Sequence, residues 1–441
     1  MKRLLSLLLC VVLALFCAPT AQAAGVSITL TASEYALHYA FDAGAQDPFV
    51  ILEYTTPAEK GWMMLYSADG RFEGDIALAY SGAGGKTSVA LTSARTTGSI
   101  GKASTTLPKA ADYQKPTGKS NAKVTDFVLT ETPEGFHYAF NAAGTDYMLL
   151  YWRSKEQTVT QPVYPDENGH YEGDVISDLT FARTQFTVQV KSGSGSMKKE
   201  ATVRKGYQAP EAPQRQEGRL SGVTVCIDAG HQENGRFVNE PIGPGLTGST
   251  SGKGGMAQGT KTNRRESIVC LEIGMLLRDE LLRQGANVVM TREDQTTFHT
   301  NIERCEIAEA GGAQIMLRLH CNNSSNRSKR GIQVYGPLNS DYAKAVADAD
   351  TYREMGQKLL DAMKTRVGMT LANSTGMVRL NDNYVGNNWA KMMCFLVEMG
   401  YLSNPAEEYL LVTPVYQQWL AEGMADGVYE IAVARGWVQA Q

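Results

Sequence analysis

The chain has 441 residues, about three times a typical single-domain length of roughly 150, so we expect two or more folded units. Hydrophobic residues make up 43% of the chain and charged residues 20%, which excludes a largely disordered protein. The formal net charge of -4 argues against duplex nucleic acid as the main partner, because phosphate binding needs a clustered basic surface.

The N-terminus has the three parts of a secretory signal peptide, predicted over residues 1–23. Lys2 and Arg3 give it a positive start, residues 4–16 are apolar, and small residues up to Ala23 offer a cleavage site. A membrane-spanning helix, the alternative, would need about 20 apolar residues. We therefore expect cleavage near Ala23 and a mature protein without an integral membrane segment. Its predicted location is extracytoplasmic, either secreted or in the cell envelope.

The first half of the chain repeats itself at a fixed offset of 99 residues. The sequence H-Y-A-F-D-A at 38–43 recurs as H-Y-A-F-N-A at 137–142. Likewise, G-R-F-E-G-D-I at 70–76 recurs as G-H-Y-E-G-D-V at 169–175. Because both matches keep one separation, they indicate two copies of one unit.

Each copy is predicted to be a small antiparallel β-sandwich, immunoglobulin-like or fibronectin-III-like. Short runs of alternating apolar and polar residues lie between Gly, Asn and Asp turns, which is typical of such domains. We define the first repeat as residues 25–107 and the second repeat as residues 122–205. Trp62 and Trp152 could stack on sugars, but a half-buried aromatic side chain in a sandwich is more often part of the core. The sequence does not decide between these roles.

The pattern changes after a linker predicted over residues 206–218, and a third domain is predicted over 219–441. Here short apolar strands alternate with helices. The predicted strands are 223–227, 286–290, 314–319, 331–335 and 392–397. The predicted helices are 267–282, 302–310, 342–367 and 415–434. This alternation favours an α/β domain with an open, mostly parallel sheet covered by helices.

Five cysteines remain once the signal peptide is removed, and none forms a C-x-x-C pair. An odd number cannot be paired fully within one molecule. Most of the five lie in apolar runs, so we favour small buried hydrophobic residues over a disulfide framework. They are Cys226, Cys270, Cys305, Cys321 and Cys394.

Two histidines and two glutamates are predicted to meet at one edge of this sheet. His231, His320 and Glu398 each follow or end a predicted strand, and Glu266 begins the helix after a glycine-rich loop. In open α/β sheets, ligands bind at the carboxyl ends of the strands. The four side chains are therefore candidates for one site.

This donor set suits one catalytic zinc ion. Zinc binds imidazole nitrogen and carboxylate oxygen, and catalytic sites use three protein ligands and keep one position open for water. His231, Glu266 and His320 fit the ligand roles, and Glu398 would carry the proton from water to the leaving amine. Each residue alone also has an ordinary structural explanation, and the chain has no H-E-x-x-H motif. From spacing alone, both interpretations stay open.

Residues 221–437 resemble the zinc-dependent N-acetylmuramoyl-L-alanine amidases of the Amidase_3 type. The family motifs appear in family order. They are D-A-G-H-Q at 228–232 for D-P-G-H-G, Glu266 at a helix start, V-V-M-T-R-E-D at 288–294, Arg304, R-L-H-C-N at 318–322 for S-x-H-x-N, and L-V-E-M-G-Y-L-S-N at 396–404 for L-V-E-x-G-F-x-S-N.

The resemblance implies one zinc ion per catalytic domain, held by His231, Glu266 and His320, with Glu398 as the catalytic residue. It also implies the substrate, which is the amide between the lactyl group of N-acetylmuramic acid and L-alanine in peptidoglycan. Peptidoglycan is thus the expected partner, and we expect a monomer. Two alternatives remain, a zinc peptidase that cuts peptidoglycan stem peptides and a non-catalytic cell-wall-binding protein.

Overall fold

A computed structural model describes residues 25–440. The gaps in this range are residues 34–35, 58, 78–83, 95, 97, 110–122, 133–134, 146–147, 154–156, 177–184, 193–195, 205–209, 233–237, 251–254, 261, 263 and 368–376. The predicted signal peptide lies outside the described residues. Among the helices that the structure describes, none combines the length and the apolar character that crossing a bilayer requires.

The two repeats contain only β-strands in the residues that are described. The strands of the first repeat are β1 Ile28–Ala32, β2 Ala36–Asp42, β3 Phe49–Thr55, β4 Glu59–Tyr66, β5 Arg71–Ala77, β6 Gly85–Ser93 and β7 Ser99–Leu107. Those of the second repeat are β8 Thr125–Thr132, β9 Gly135–Asn141, β10 Met148–Arg153, β11 Gln157–Val163, β12 His170–Ile176, β13 Gln185–Lys191 and β14 Met197–Arg204.

Each repeat divides its strands between two antiparallel sheets. In the first repeat the orders are β1-β2-β5 and β4-β3-β6-β7, and in the second they are β8-β9-β12 and β11-β10-β13-β14. Side chains alternate between the two faces of a strand, so every second residue can point into the core. On β2 these residues are Leu37, Tyr39 and Phe41, and they are buried in one cluster with Val50 and Leu52 of β3. Pairing of β4 with β11 joins the two larger sheets into one of eight strands.

The C-terminal half is an α/β domain, as predicted. Its strands are β15 Thr224–Ala229, β16 Asn287–Met290, β17 Ile315–Asn322, β18 Gln333–Gly336, β19 Met377–Leu380 and β20 Met393–Tyr401. Its helices are α1 Glu266–Arg283, α2 Asn301–Ala310, α3 Asp341–Val346, α4 Ala349–Val367, α5 Val385–Trp389, α6 Glu407–Leu410 and α7 Pro414–Ala434.

The six strands form one sheet in the order β16-β15-β17-β20-β18-β19. All neighbours are parallel except β18 and β20, so the prediction of a mostly parallel sheet is confirmed. Successive strand residues point to opposite faces. Val225 and Ile227 lie in the large cluster that includes side chains of α1, α4 and α7, whereas Cys226 packs with Cys305 and Ala308 of α2. Helices therefore cover both faces of the sheet.

The helix predicted over 342–367 is instead two helices, α3 and α4. The break falls at Asp348, whose carboxylate accepts a hydrogen bond from the backbone N–H of Thr351 at 2.8 Å. This side chain caps the start of α4 and so favours a new helix there over continuation of α3. The five cysteines predicted as buried residues are indeed buried and free.

The described part of the predicted linker, residues 210–218, contains no helix or strand. It lies against α1, because Arg278 donates to the carbonyl of Pro210 at 2.9 Å and the N–H of Gln216 donates to the carbonyl of Leu282 at 3.0 Å. This segment is therefore attached to the C-terminal domain. The domain boundaries themselves stay predictions.

Candidate active site

The first candidate ligand, His231, follows β15 in a conformation that is unusual for a residue with a Cβ. Its φ is 56°, in the left-handed region, which costs backbone energy outside glycine. Arg304 holds this turn, donating to the carbonyl of His231 at 3.1 Å and to that of Ala229 at 2.9 Å. Gly230 fits because a Cβ there would lie 2.6 Å from Cε1 of His320. Side chains distant in sequence thus fix the position of His231.

A buried carboxylate, Asp228, anchors the same turn. It accepts hydrogen bonds from the guanidinium groups of Arg304 and Arg318 and from the hydroxyl of Thr291 at 2.8 Å. Burial alone would raise the pKa of Asp228, but the two arginines lower it below its ordinary value. The carboxylate therefore stays charged inside the domain.

The second candidate ligand, Glu266, is the first residue of α1 and is buried. Its Oε2 accepts the N–H of Ala257 at 2.7 Å and its Oε1 accepts the N–H of Cys321 at 2.9 Å. The same Oε1 lies 3.1 Å from Nε2 of His231 and 3.0 Å from Nδ1 of His320. Burial raises the pKa of the Glu266 carboxyl, but the hydrogen bonds with both histidines outweigh it, so the pKa is lowered.

His231, Glu266 and His320 form a cluster that can hold a metal ion. Each offers one ligand atom, and these atoms lie within 4.8 Å of one another. Burial lowers the pKa of His320, which favours the neutral imidazole that metals bind. The side chains of His231 and His320 are 23% and 14% exposed, against 4% for Glu266, so the cluster opens to solvent on the histidine side. The three residues that the sequence grouped are together in space.

Glu398 lies beside this cluster on β20, where it is the parallel pairing partner of His320 on β17. Burial raises the pKa of Glu398 well above its ordinary value, and the negative charge of Glu266 adds to this. Oε2 of Glu398 and Nε2 of His320 are buried and have no hydrogen-bond partner among the described residues. The protein alone thus leaves polar atoms of the site unsatisfied, which fits a site that holds a metal ion and a polar substrate.

Sequence reasoning missed a group of polar and aromatic side chains next to Glu398. Gln333 of β18 is its pairing partner on the other side. Gln333 donates to the hydroxyl of Tyr401 at 3.1 Å and accepts from the hydroxyl of Tyr335 at 2.6 Å and from Asn322 at 3.2 Å. Asn322 and Tyr401 lie in the motifs at 318–322 and 396–404, but no motif marks Gln333 or Tyr335, because the antiparallel direction of β18 against β20 is not visible in the sequence.

The C-terminal half of the chain matches a known enzyme family. The profile of the N-acetylmuramoyl-L-alanine amidase family, Amidase_3, matches residues 225–430. The C-terminal domain belongs to this family. The matched region runs from β15 into α7 and contains all four candidate site residues, and we call this part of the chain the amidase domain.

Curated relatives are similar to the amidase domain. The germination-specific N-acetylmuramoyl-L-alanine amidase of Bacillus subtilis is 26% identical over 231 residues, which cover 49% of this chain and 83% of that protein. The probable cell wall amidase LytH of Staphylococcus aureus is 27% identical over 218 residues, which cover 48% of this chain and 60% of LytH. The two repeats thus lie largely outside these matches.

Solved structures of amidases align with a similar share of this chain. An N-acetylmuramoyl-L-alanine amidase from Clostridium difficile 630 aligns with a TM-score of 0.38 and 25% identity, over 48% of this chain and 96% of that one. The amidase Ami1 from Mycobacterium smegmatis aligns with a TM-score of 0.42 and 17% identity, over 49% and 99% of the two chains.

Proposed function

We propose that this protein is an exported peptidoglycan hydrolase that cuts the amide between the lactyl group of N-acetylmuramic acid and L-alanine. The observation that carries the proposal is the cluster of His231, Glu266 and His320 beside Glu398, inside a domain of the amidase family. The relatives named as germination-specific and cell wall amidases support the same class of substrate.

We propose that His231, Glu266 and His320 hold one zinc ion. Two imidazoles and one carboxylate are a common ligand set of catalytic zinc sites. Zinc bound there would act as a Lewis acid on the amide carbonyl and lower the pKa of water. The cluster is open to solvent on the side of the two histidines, and the substrate would approach from that side.

Glu398 is the proposed general base and acid. Its carboxylate accepts a proton as water adds to the amide carbon, and it returns that proton to the L-alanine nitrogen as the carbon–nitrogen bond breaks. Its raised pKa suits this second step, because desolvation favours the protonated form of a carboxyl that has no cationic side chain beside it. Gln333 of β18 is the pairing partner of Glu398 across the two strands.

Digestion of purified peptidoglycan followed by mass spectrometry tests the proposal. An amidase releases intact glycan strands and free peptides that begin with L-alanine. Activity should disappear with a chelator and return with zinc. Fragments cut inside the stem peptide would instead show the peptidase alternative, and binding to peptidoglycan without any product would show the non-catalytic one.

Export, the oligomeric state and the repeats are part of the same proposal. Peptidoglycan lies outside the cytoplasmic membrane, so an enzyme that cuts it must be exported. The signal peptide predicted over residues 1–23 would direct that export. N-terminal sequencing of protein from the cell envelope or medium should find a mature end near residue 24. We propose that the mature protein is a monomer, which light scattering can test. We also propose that both repeats are β-sandwiches of the immunoglobulin or fibronectin-III type.

A further inference from the structure

The short helix α6 lies between the first repeat and the active site. The ring of Tyr409 on α6 meets the ring of Trp62 on β4 edge to face, with centroids 4.6 Å apart. Nearby, Phe49 of β3 lies 5.3 Å from Trp419 of α7. The first repeat is therefore packed on the amidase domain through aromatic side chains. We call this contact the aromatic dock, which comprises Phe49, Trp62, Tyr66, Tyr409, Tyr416 and Trp419.

The dock is a property of the first repeat rather than of the repeated unit. At the offset of 99 residues, the second repeat has Met148, Gln161 and Pro165 in place of the three aromatic residues that the first repeat contributes. Phe49 is 1% exposed and shares a core cluster with the amidase domain, whereas Trp152 is buried within the second repeat. The three aromatic residues that contact the amidase domain are thus absent from the equivalent positions of the second repeat.

Glu408 on α6 holds the loop that leads into Glu266. Its carboxylate accepts hydrogen bonds from the hydroxyl of Thr260 at 3.1 Å and from the N–H of Thr262 at 3.3 Å. The ends of this loop close onto the candidate ligand, since the N–H of Glu266 donates to the carbonyl of Ala257 at 2.9 Å. Ala257 in turn donates to Oε2 of Glu266. Glu408 therefore supports a loop that orients a ligand carboxylate.

Glu407, the preceding residue, contacts both β20, which carries Glu398, and the segment that leads into the neighbouring strand β18. Its buried carboxylate accepts the N–H of Tyr401 at 2.8 Å, at the end of β20, and the N–H of Gly331 at 2.8 Å, just before β18. Tyr401 is three residues beyond Glu398, and Gly331 is two residues before Gln333. One carboxylate thus links the strand that carries Glu398 to the segment before the strand that pairs with it.

We propose that α6 couples the first repeat to the active site. In this arrangement Glu408 and Glu407 are positioning residues for Glu266 and Glu398, and the aromatic dock holds α6 in the position that both contacts need. The roles of Glu266 and Glu398 rest on the proposed function. The placement of α6 against Trp62 does not.

The first test measures zinc affinity by competition with a chelator in the full mature chain, which requires no turnover. Trp62→Ala and Glu408→Gln should each weaken zinc binding, because both loosen the loop before Glu266. We expect about 2- to 10-fold for Trp62→Ala, the range that loss of one aromatic pair implies. Trp62→Phe should restore most of the affinity. Tyr164→Ala is the matched control, since this tyrosine of the second repeat is 53% exposed and lies outside the dock.

The second test separates the two positioning roles by steady-state kinetics on peptidoglycan fragments. Glu407→Gln should lower kcat and leave zinc affinity unchanged, because it acts on the strands around Glu398. Glu408→Gln should instead lower zinc affinity first. The double variant Trp62→Ala with Glu408→Gln should weaken zinc binding less than the product of the single effects, because both changes release the same loop.

The coupling is refuted if Trp62→Ala binds zinc as tightly as the wild type. It is also refuted if the loss of zinc affinity in the double variant equals the product of the losses in Trp62→Ala and Glu408→Gln. Should Trp62→Ala fail to fold, hydrogen exchange at Thr262 and Tyr401 in Trp62→Leu decides, because leucine removes the ring contact with Tyr409 but keeps an apolar side chain, and unchanged protection there also refutes the coupling. A wild-type protein that binds zinc but hydrolyses nothing would remove the proposed function. The affinity results would still confirm or refute the coupling.

Discussion

The substitution Asp228→Asn tests whether the charge network beneath the site determines its stability. Asp228 is fully buried and pairs with Arg304 and Arg318, which are each 3% exposed. Asparagine keeps the shape but removes the negative charge, so two buried guanidinium groups lose their counter-ion. Breaking a buried ion pair in this way costs about 3–5 kcal/mol of unfolding free energy.

The magnitude can be read by calorimetry as a shift of the melting transition of the amidase domain. For a domain of roughly 150–250 residues, 1 kcal/mol corresponds to about 2–4 °C, so we expect a fall of roughly 6–20 °C. Asp350→Asn is the control, because that side chain is 94% exposed and pairs with Arg353 on the surface of α4. A change in Asp228→Asn no larger than that of the control would refute the reasoning.

Three further predictions concern the site and the support around it. Glu398→Gln should keep zinc but lower kcat about 10²–10⁴-fold, measured by product release, and near-wild-type turnover would remove Glu398 from its role. His320→Ala should lose bound zinc by elemental analysis, and full retention would exclude it as a ligand. Burial raises the pKa of Glu407 to about 7 from an ordinary 4.5, so its contribution to stability is present below pH 4.5 and is lost as pH rises through about 7. The wild type should therefore lose about 3 kcal/mol relative to Glu407→Gln across this range in denaturant unfolding, and parallel curves would contradict this.

The parts of the amidase domain that could be predicted are those with a local signal. Long periodic helices such as α1 and α7 and apolar strands such as β17 were predicted within a few residues of their bounds. Helix α6 has four residues, too few for any periodicity to show. The split between α3 and α4 depends on one capping carboxylate inside an otherwise helical pattern.

The candidate site could likewise be predicted only in part. His231 follows β15, and His320 and Glu398 lie within three residues of the C-terminal ends of β17 and β20, so topology alone brings them to a common edge of one sheet. Their support was not predictable, because Asp228 contacts Arg304 and Arg318 across 76 and 90 residues of chain. Arg304 was visible only as a motif residue, and nothing in the sequence says which carbonyl groups it binds.

The three carboxylates of the site have different surroundings, which suit them to different roles. Asp228 lies between Arg304 and Arg318, which lower its pKa and keep it charged, so it can anchor but not exchange a proton. Glu266 has its oxygens occupied by backbone N–H groups and faces two imidazoles, which orients one oxygen as a ligand. Glu398 has no guanidinium partner among the described residues, and burial raises its pKa. Of the three, Glu398 is therefore the carboxyl whose surroundings favour the protonated form, and these surroundings, rather than its residue type, support the proposal that it transfers the proton.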